Sequence, residues 1–287
     1  MIWLIGNKGM LGTELSLLLE KKGIPFIGTD REVDITNLTK LRDFSKKYTF
    51  EWIINCAAYT AVDRAEDDIE NCRRINVEGP FNIAIIVRES GSKFIHISTD
   101  YVFNGMASLP YTEEDATDPI GVYGLSKRDG EIKALMENDK TYIIRTAWLY
   151  GKYGHNFVHT MLRLMKEKGK VSVVNDQRGS PTWARDLSET IIVLINEEKL
   201  IPYGIFHFTN EGEISWFDFV KEIHKQALEL GILIKDCELL PCTSKDFSFK
   251  VKRPAYSVLD KNKIKNTLCV TIPGWKESLN KFLVEYA

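Results

Sequence analysis

Short apolar runs alternate with amphipathic segments through the first half of the chain, and this alternation restricts the possible folds more than any other feature. The runs are β-branched or aromatic and too short to be helices, so they predict buried strands. Apolar strands that alternate with helices predict a parallel sheet covered on both faces, which is a Rossmann-type doubly wound α/β domain. The predicted strands are residues 2–6, 24–30, 52–58, 93–99 and 141–147, and the predicted helices are residues 10–22, 36–48, 66–90 and 122–138.

The alternation becomes less regular after about Gly151. A smaller mixed α/β region is therefore expected to follow the first domain and to close a cleft over it. We place the division between residues 1–150 and 151–287, and because no Pro- or Gly-rich linker marks it, the two parts could be interwoven. In the second part the predicted strands are residues 171–176, 204–210 and 237–242, and the predicted helices are residues 156–168, 183–198, 215–230 and 275–286.

Composition and charge exclude several kinds of partner. Of the 287 residues, 44% are hydrophobic and 27% are charged, with a net charge of −2, so no basic surface for nucleic acid is expected. The cysteines form neither a zinc motif nor a disulfide framework, and the histidines show no ligand spacing. The first apolar run is too short for a signal peptide and no segment has the length of a membrane span. We therefore expect a cytoplasmic protein with no membrane partner.

A glycine-rich turn follows the first predicted strand. Gly6, Gly9 and Gly12 in "GNKGMLG" lie where the strand ends and the first helix begins. Glycine allows a tight turn and a close approach of the backbone to a pyrophosphate, whose charge the free N–H groups of the helix N-terminus stabilise. The position of this motif inside a β-α-β pattern predicts dinucleotide binding.

An acidic and a basic residue end the second predicted strand. The Asp30 carboxylate could bond a ribose 2′-hydroxyl, and the Arg31 guanidinium could bond a 2′-phosphate, so the choice between NADH and NADPH stays open. Asp34 and Ile35 then offer a polar and an apolar contact for an adenine. A surface loop with no ligand explains these last two residues equally well.

A tyrosine and a lysine lie four positions apart in "VYGLSK", so Tyr123 and Lys127 share one face of a predicted helix. Reduction of a ketone places negative charge on its oxygen, which then needs a proton donor. A phenol can serve at neutral pH if a nearby cation favours its ionised form, and Lys127 is expected to lower the pKa of Tyr123 in this way. With the glycine turn and with Ser98 and Thr99 at the end of the fourth predicted strand, the chain resembles the extended short-chain dehydrogenases/reductases.

The stretch "STDYVFNG" distinguishes this chain from one branch of that superfamily. Nucleotide-sugar 4,6-dehydratases carry Thr-Asp-Glu here, because elimination of water needs both an acid and a base. This chain has Thr99, Asp100 and Tyr101, so the base for dehydration is missing. The sequence therefore predicts reduction and not dehydration.

Further stretches along nearly the whole chain resemble the dTDP-4-dehydrorhamnose reductases. They are "NCAAYTAVDRAE", "RTAWLYG", "NFVHTMLRL", "VVNDQRGSPTWARDL" and "RPAYSVLD". The resemblance implies reduction of the C4 ketone of dTDP-4-dehydro-L-rhamnose to dTDP-L-rhamnose, with NADPH or NADH as cofactor, for a cell-surface polysaccharide. It also implies that the region after residue 150 mostly binds the nucleotide-sugar.

The resemblance assigns roles to individual residues. It places Thr99, Tyr123 and Lys127 in catalysis, with Ser98 as the alternative to Thr99. For the cofactor it implies Gly6, Gly9, Met10, Leu11 and Gly12 at the diphosphate, Asp30, Arg31, Asp34 and Ile35 at the adenosine, and Ala57, Ala58, Tyr59, Tyr123 and Lys127 at the nicotinamide half. For the substrate it implies Thr60, Val62, Thr99, Tyr101, Trp148, Asn156, Gln177 and Arg253, with the backbone of residues 179–182.

One feature of that family is in doubt here. Some members dimerise through Mg²⁺ held by glutamates, but this chain has Asp186 where a glutamate is wanted, and only Glu14 supplies an acid on the first helix. We expect no metal and either a monomer or a homodimer. Two alternatives stay open: a reductase or epimerase of another NDP-4-keto sugar, and a non-catalytic dinucleotide-binding subunit such as the regulatory β subunit of methionine adenosyltransferase.

Overall fold

The first half of the chain folds into alternating strands and helices, as its hydrophobic pattern predicts. This computed structural model describes residues 1–197, 201–247 and 250–287, so residue 198, the last of a predicted helix, lies outside the described residues. The elements are β1 (Ile2–Ile5), α1 (Met10–Lys21), β2 (Phe26–Thr29), α2 (Leu38–Ser45), β3 (Trp52–Asn55), α3 (Val62–Ala65), α4 (Ile69–Arg73), α5 (Gly79–Ser90), β4 (Lys93–Thr99), α6 (Val122–Glu137) and β5 (Thr141–Thr146).

The second half contains shorter strands. Its elements are β6 (Leu149–Tyr150), α7 (Phe157–Glu167), β7 (Lys170–Val174), β8 (Arg178–Gly179), β9 (Thr182–Trp183), α8 (Ala184–Asn196), β10 (Gly204–His207), β11 (Ile214–Ser215), α9 (Trp216–Glu229), β12 (Glu238–Cys242), α10 (Asn262–Leu268) and α11 (Trp275–Tyr286).

Six parallel strands form the central sheet in the order β10-β5-β4-β3-β1-β2. Alternate residues of each strand point to opposite faces. In β1, Ile2 and Leu4 pack under α1, α8 and α10, whereas Trp3 and Ile5 pack under α2, α5 and α6. Both faces are therefore apolar, which explains the near-continuous hydrophobic runs. The predicted fold class is confirmed.

The chain beyond residue 150 divides between this sheet and a second core. The strand β10 pairs with β5, and α8 packs against α1, so both elements belong to the sheet layers. The second core lies among α7, α9, α11 and β7, which pairs with β12. After entering the second core, the chain returns to the sheet with α8 and β10. The division at residue 150 stays a prediction.

The helix predicted over residues 66–90 is interrupted, which the periodicity did not indicate. The helices α4 and α5 are joined by a π-helical turn, Arg74–Glu78. Pro80 lies in the first turn of α5 and has no N–H to donate, so a regular α-helical ladder cannot pass through this point. The turn places the Asn76 side chain, buried, against the loop after β3.

A buried ion pair joins α6 to the sheet. Glu131 accepts from Arg145 at 2.7 Å, and the two side chains are 2% and 3% exposed. Ser98 donates to the same carboxylate, and Arg145 also approaches the His207 ring on β10 at 3.4 Å. One pair thus connects α6, β4, β5 and β10.

Removing the cation of this pair should destabilise the protein strongly. We expect Arg145→Met to lower the free energy of unfolding by about 3–5 kcal/mol, because it leaves the Glu131 carboxylate buried without a counter-charge. Urea unfolding followed by circular dichroism measures the change. The control is Arg163→Met, which breaks an exposed pair with Glu167 and should cost less than about 1 kcal/mol. Equal costs for the two variants would contradict a structural role for the buried pair.

Candidate active site

A cleft of about 450 Å³ opens at the carboxyl ends of β1, β2 and β3. Ligands of open parallel sheets bind at this edge, next to the loops that follow the strands. Eight of the predicted cofactor residues line it, namely Gly6, Gly9, Asp30, Arg31, Asp34, Ile35, Ala57 and Ala58. Four lining residues were missed because they are apolar side chains at strand ends and helix faces, which have no local signal of binding: Ile5, Val33, Cys56 and Ile75.

The glycine turn is a cradle that side chains would fill. Gly6 has φ +76°, and a Cβ atom there would lie 2.6 Å from the Ala57 nitrogen. A Cβ atom on Gly12 would lie 2.1 Å from the Gly6 oxygen, so α1 packs directly on the turn. The first amides of a helix have no partner within the helix, and those of α1 begin at this cradle. The turn therefore fits a dinucleotide diphosphate.

Two predicted diphosphate residues have side chains that pack against the protein. The Leu11 side chain is buried in the core under the sheet. The Met10 side chain lies where Cβ atoms on Gly151 or Gly154 would contact it, at 3.3 and 3.6 Å. The backbone amides of Met10 and Leu11 lie in the first turn of α1, where an anion at the helix N-terminus could bond them.

The adenosine end of the cleft contains both charges that the sequence predicts. Asp30 is half-buried, and Arg31 is exposed beside it. The Asp34 carboxylate accepts from the backbone and the hydroxyl of Thr36 at 2.9 Å, which fixes the loop. Ile35 is buried against α5. A ribose hydroxyl and a 2′-phosphate each find a matching group here.

Two asparagines hold the loop that follows β3. The Asn55 oxygen accepts from the Ala57 N–H at 3.0 Å, and Asn76 bonds both backbone groups of Tyr59. The Tyr59 hydroxyl donates to Asp68 at 3.1 Å, and Tyr59 is not among the residues that line the cleft. Neither asparagine was predicted, although Asn55 is a polar residue at the end of an apolar strand, which is a usable signal.

Tyr123 lies in an aromatic cluster at the start of α6. It is 9% exposed and packs edge-on against Tyr101, with ring centroids 5.5 Å apart. Burial raises the pKa of Tyr123, and a hydrogen bond with the Thr99 hydroxyl partly offsets this effect. The expected lowering of this pKa by Lys127 is wrong for this arrangement, because removal of the phenol from water raises the pKa.

Lys127 lies one turn further along α6 and is 2% exposed. Its Nζ donates to the Ile97 oxygen at 2.7 Å and lies 3.3 Å from Nε2 of His96. Burial lowers the pKa of Lys127 to about 8, against the opposing effect of Glu131. The pKa of Lys127 therefore lies well below that of an exposed lysine, within reach of mildly alkaline pH.

The two hydroxyls at the end of β4 have different partners. Ser98 donates to Glu131, in the ion pair below the sheet edge. Thr99 donates to Asp100 at 3.0 Å and accepts from the Tyr101 N–H at 3.2 Å, and its hydroxyl opposes the rise in the pKa of Tyr123. Successive residues of a strand point to opposite faces, so only Thr99 can act together with Tyr123.

Several predicted substrate residues gather around the same cluster. Val62 packs against Tyr123, and Thr60 is exposed at the loop before α3. The Arg253 guanidinium lies over the Tyr101 ring at 5.9 Å and pairs with Asp63 at 2.6 Å. Asp63 was not predicted, because an acidic residue in a first helical turn is common on protein surfaces.

Three other predicted substrate residues make contacts within the protein. Asn156 caps α7 by accepting from the His159 N–H at 3.1 Å, and it donates to the Gly151 oxygen. Gln177 donates to Ser244 at 2.9 Å. Trp148 has φ +49° and stacks on Trp216, with centroids 3.5 Å apart. A Cβ atom on Gly179 would lie 2.5 Å from the Trp148 ring.

The two acidic residues considered for a metal site, Glu14 and Asp186, are bonded to other side chains. Glu14 accepts from Arg185 at 3.2 Å. Asp186 accepts from Asn210 and Ser278. Within residues 1–197, 201–247 and 250–287, no group of three or more His, Cys, Asp or Glu side chains could hold a metal ion. Over the same ranges, no helix has both the length and the apolar character needed to cross a membrane.

Comparisons with known proteins cover almost the whole chain. The family model described as "RmlD substrate binding domain" matches residues 1–287. A dTDP-4-dehydrorhamnose reductase from Aggregatibacter actinomycetemcomitans is 37% identical over 279 residues, covering 96% of this chain and 95% of that protein. The crystal structure of a dTDP-4-dehydrorhamnose reductase from Clostridium acetobutylicum ATCC 824 is 40% identical, covers 99% of each chain and has a TM-score of 0.93. That of a Bacillus anthracis dTDP-4-dehydrorhamnose reductase in complex with NADP is 38% identical, covers 99% of this chain and 98% of that one, and also has a TM-score of 0.93.

Filling the cradle should weaken cofactor binding. We expect Gly6→Ala to raise the Kd for NADPH at least about tenfold, which corresponds to about 1.4 kcal/mol. The control is Gly91→Ala, because Gly91 has a similar φ of +71° but no atom within 4 Å of its Cβ position. The control should lose stability from the backbone strain and keep its Kd. Isothermal titration calorimetry measures binding, and an unchanged Kd for Gly6→Ala would contradict the assignment of the cradle.

Proposed function

Because the chain belongs to the RmlD substrate binding domain family, that of the dTDP-4-dehydrorhamnose reductases, we propose that it reduces the C4 ketone of dTDP-4-dehydro-L-rhamnose. The product is dTDP-L-rhamnose, the reaction uses NADPH or NADH, and it completes dTDP-rhamnose synthesis for a cell-surface polysaccharide. The match over residues 1–287 agrees with the resemblance seen in the sequence. The observation that carries the proposal is the buried set of Thr99, Tyr123 and Lys127. Hydrogen bonds through His96 and Asn55 connect Lys127 to Ala57, which lines the glycine-rich cleft.

The chain's own residues supply the proton. When bound, the reduced nicotinamide supplies a hydride. Tyr123 keeps its phenolic proton at neutral pH, because burial raises its pKa, and it delivers that proton to the oxygen of the ketone as negative charge develops there. The Thr99 hydroxyl, which also lowers the pKa of Tyr123 against the effect of burial, orients the same oxygen. The ammonium form of Lys127 then favours the phenolate that remains.

Residues around this set would hold the sugar and its diphosphate. Trp148 offers an aromatic surface to the hexose, and Arg253 offers a planar fork for the phosphate oxygens. Asp63 now pairs with Arg253, so a diphosphate would compete with a carboxylate for this cation. Thr60, Val62, Tyr101, Asn156 and Gln177 complete the proposed substrate site.

The surroundings of the enzyme are part of the proposal. A cytoplasmic location is supported by the cysteines, all five of which are free thiols, as is usual in a reducing compartment. We propose a monomer or a homodimer that needs no Mg²⁺. Light scattering with and without a chelator measures both properties.

The first test is turnover. Purified protein mixed with NADPH and dTDP-4-dehydro-L-rhamnose should consume the reduced cofactor and form dTDP-L-rhamnose. Turnover only with a different NDP-4-keto sugar would favour the broader reductase reading, because related sugars differ in their contacts by only about 1–3 kcal/mol. Binding of NADPH without turnover on any keto sugar would favour the non-catalytic subunit.

Removing the phenolic proton should abolish most turnover. We expect Tyr123→Phe to fold, to bind NADPH and to lose roughly 10²–10⁴-fold in kcat, because the ketone oxygen then lacks its donor. The matched control is Tyr142→Phe, which removes a buried hydroxyl bonded to the Ile201 oxygen in the sheet core. That variant should lose stability and keep kcat. A Tyr123→Phe enzyme with normal turnover would exclude Tyr123 as the donor.

The pKa of Lys127 predicts an alkaline limit. Lys127 has a pKa of about 8, below its ordinary value, so its ammonium form is present below this pH and is lost as the pH rises through it. We therefore expect kcat/KM to fall above about pH 8 in a profile measured with saturating NADPH. Lys127→Met should remove this limb along with most activity. An activity that stays constant to pH 10 would exclude a role for the ammonium form.

A further inference from the structure

A series of buried, hydrogen-bonded polar groups lies behind the proposed catalytic lysine. Asn55 and His96 are register partners on β3 and β4, and Lys127 reaches them from α6. Asn55 and His96 are 0% exposed, and Lys127 is 2% exposed. Among polar atoms buried this deeply, each donor needs an acceptor. The hydrogen positions within this series can therefore be worked out from the groups at its two ends.

The first end of this hydrogen-bonded series is the backbone of the loop that follows β3. The Ala57 N–H donates to Oδ1 of Asn55 at 3.0 Å, which fixes the amide orientation. The Asn55 amino group therefore faces Nδ1 of His96, at 3.1 Å. An amino group can only donate, so Nδ1 must accept. A neutral imidazole with an accepting Nδ1 carries its proton on Nε2.

The second end of the series is Lys127. His96 Nε2 lies 3.3 Å from Lys127 Nζ, so the Nε2–H of His96 is directed at that nitrogen. A neutral amine has a lone pair that accepts this bond and keeps hydrogens for the Ile97 oxygen. An ammonium group has no lone pair and would face the N–H of His96 directly.

We propose that His96, held by Asn55 with its proton on Nε2, is a positioning residue that orients Lys127 and favours the neutral form of its amine. The inference rests on the proposed function, in which Lys127 assists Tyr123. A lysine that gains and releases its proton near the working pH can restore the tyrosine after each cycle, whereas an ordinary lysine would stay charged.

Other ionisable groups also lie around Lys127, but they do not take over the effect of His96 on its protonation. Glu131 favours the ammonium form, but its carboxylate is already engaged by Arg145 and Ser98. The thiols of Cys56 and Cys72 also face the lysine, and burial raises the pKa of both, to about 12 for Cys56. Both thiols are therefore neutral at working pH.

The imidazole itself also stays neutral. Burial and the nearby Lys127 hold the pKa of His96 well below its usual range. His96 therefore acts through its tautomer and not through its charge.

A spectroscopic test does not depend on the substrate. In protein labelled with ¹⁵N-histidine, two-bond ¹⁵N–¹H correlations identify the protonated ring nitrogen, and His96→Gln assigns the signal. We expect His96 as the Nε2–H tautomer. His207 is the internal control, because its Nδ1 faces the Tyr111 oxygen at 3.1 Å and must donate to it, which gives the opposite tautomer. An Nδ1–H tautomer for His96 would overturn the proposal and leave the proposed reaction standing.

A matched pair of variants tests the consequence for Lys127. Asn55→Asp keeps an acceptor for the Ala57 N–H and replaces the amino group with a second acceptor. The imidazole proton should then move to Nδ1 and leave Nε2 to accept from the ammonium. We expect the alkaline limb of kcat/KM to move up by roughly one pH unit or more. Asn55→Leu removes both bonds without supplying an acceptor, so it should lower kcat with a smaller movement of the limb.

The outcomes separate the two proposals. A positioning role through the tautomer is contradicted if Asn55→Asp and Asn55→Leu lower kcat equally with the limb unmoved, because a purely structural role predicts that result. If the wild-type protein reduces no keto sugar, the proposed function fails. The pKa of Lys127 can then still be followed in both variants by ¹³C NMR of labelled lysine, with Lys127→Met as the assignment.

Discussion

The buried face of α6 is polar, and the rest of the site depends on how that face is satisfied against the sheet. Lys127 and Glu131 lie on it, one turn apart, and each finds partners on β4 or β5. An unpaired polar group at this depth would cost several kcal/mol, so these contacts fix the position of the helix. The same contacts fix where Tyr123 lies, because it shares that face.

Stability and chemistry are therefore divided along a single helix. Glu131 is committed to the buried ion pair with Arg145, which joins α6 to three strands. Lys127, one turn earlier, contacts the neutral His96 ring and the Ile97 oxygen, and burial lowers its pKa. Tyr123, another turn earlier, has its pKa raised by burial, and the Thr99 hydroxyl partly offsets that rise. Glu131 thus joins α6 to the sheet, and the proposed reaction assigns proton transfer to the side chains of the first turns.

The aromatic surroundings raise the pKa of Tyr123, and this changes the account that the sequence suggests. A Tyr-x-x-x-Lys spacing indicates that the lysine acidifies the tyrosine. The structure instead places both side chains out of water, where the neutral phenol and the neutral amine are each favoured. A neutral phenol is the form that a proton donor needs before the ketone is reduced.

The sequence by itself determined the parallel sheet, the glycine cradle and the helical pairing of Tyr123 with Lys127, because each is local: hydrophobic period, conformational freedom of glycine and spacing along a helix. Tertiary structure decided what no local pattern contains. It returned β10 to the sheet, gave Ser98 and Thr99 different partners, and brought Asn55 and His96 behind Lys127. These pairings join residues distant in sequence, and burial, which sets both their hydrogen bonds and their pKa values, exists only in the folded chain.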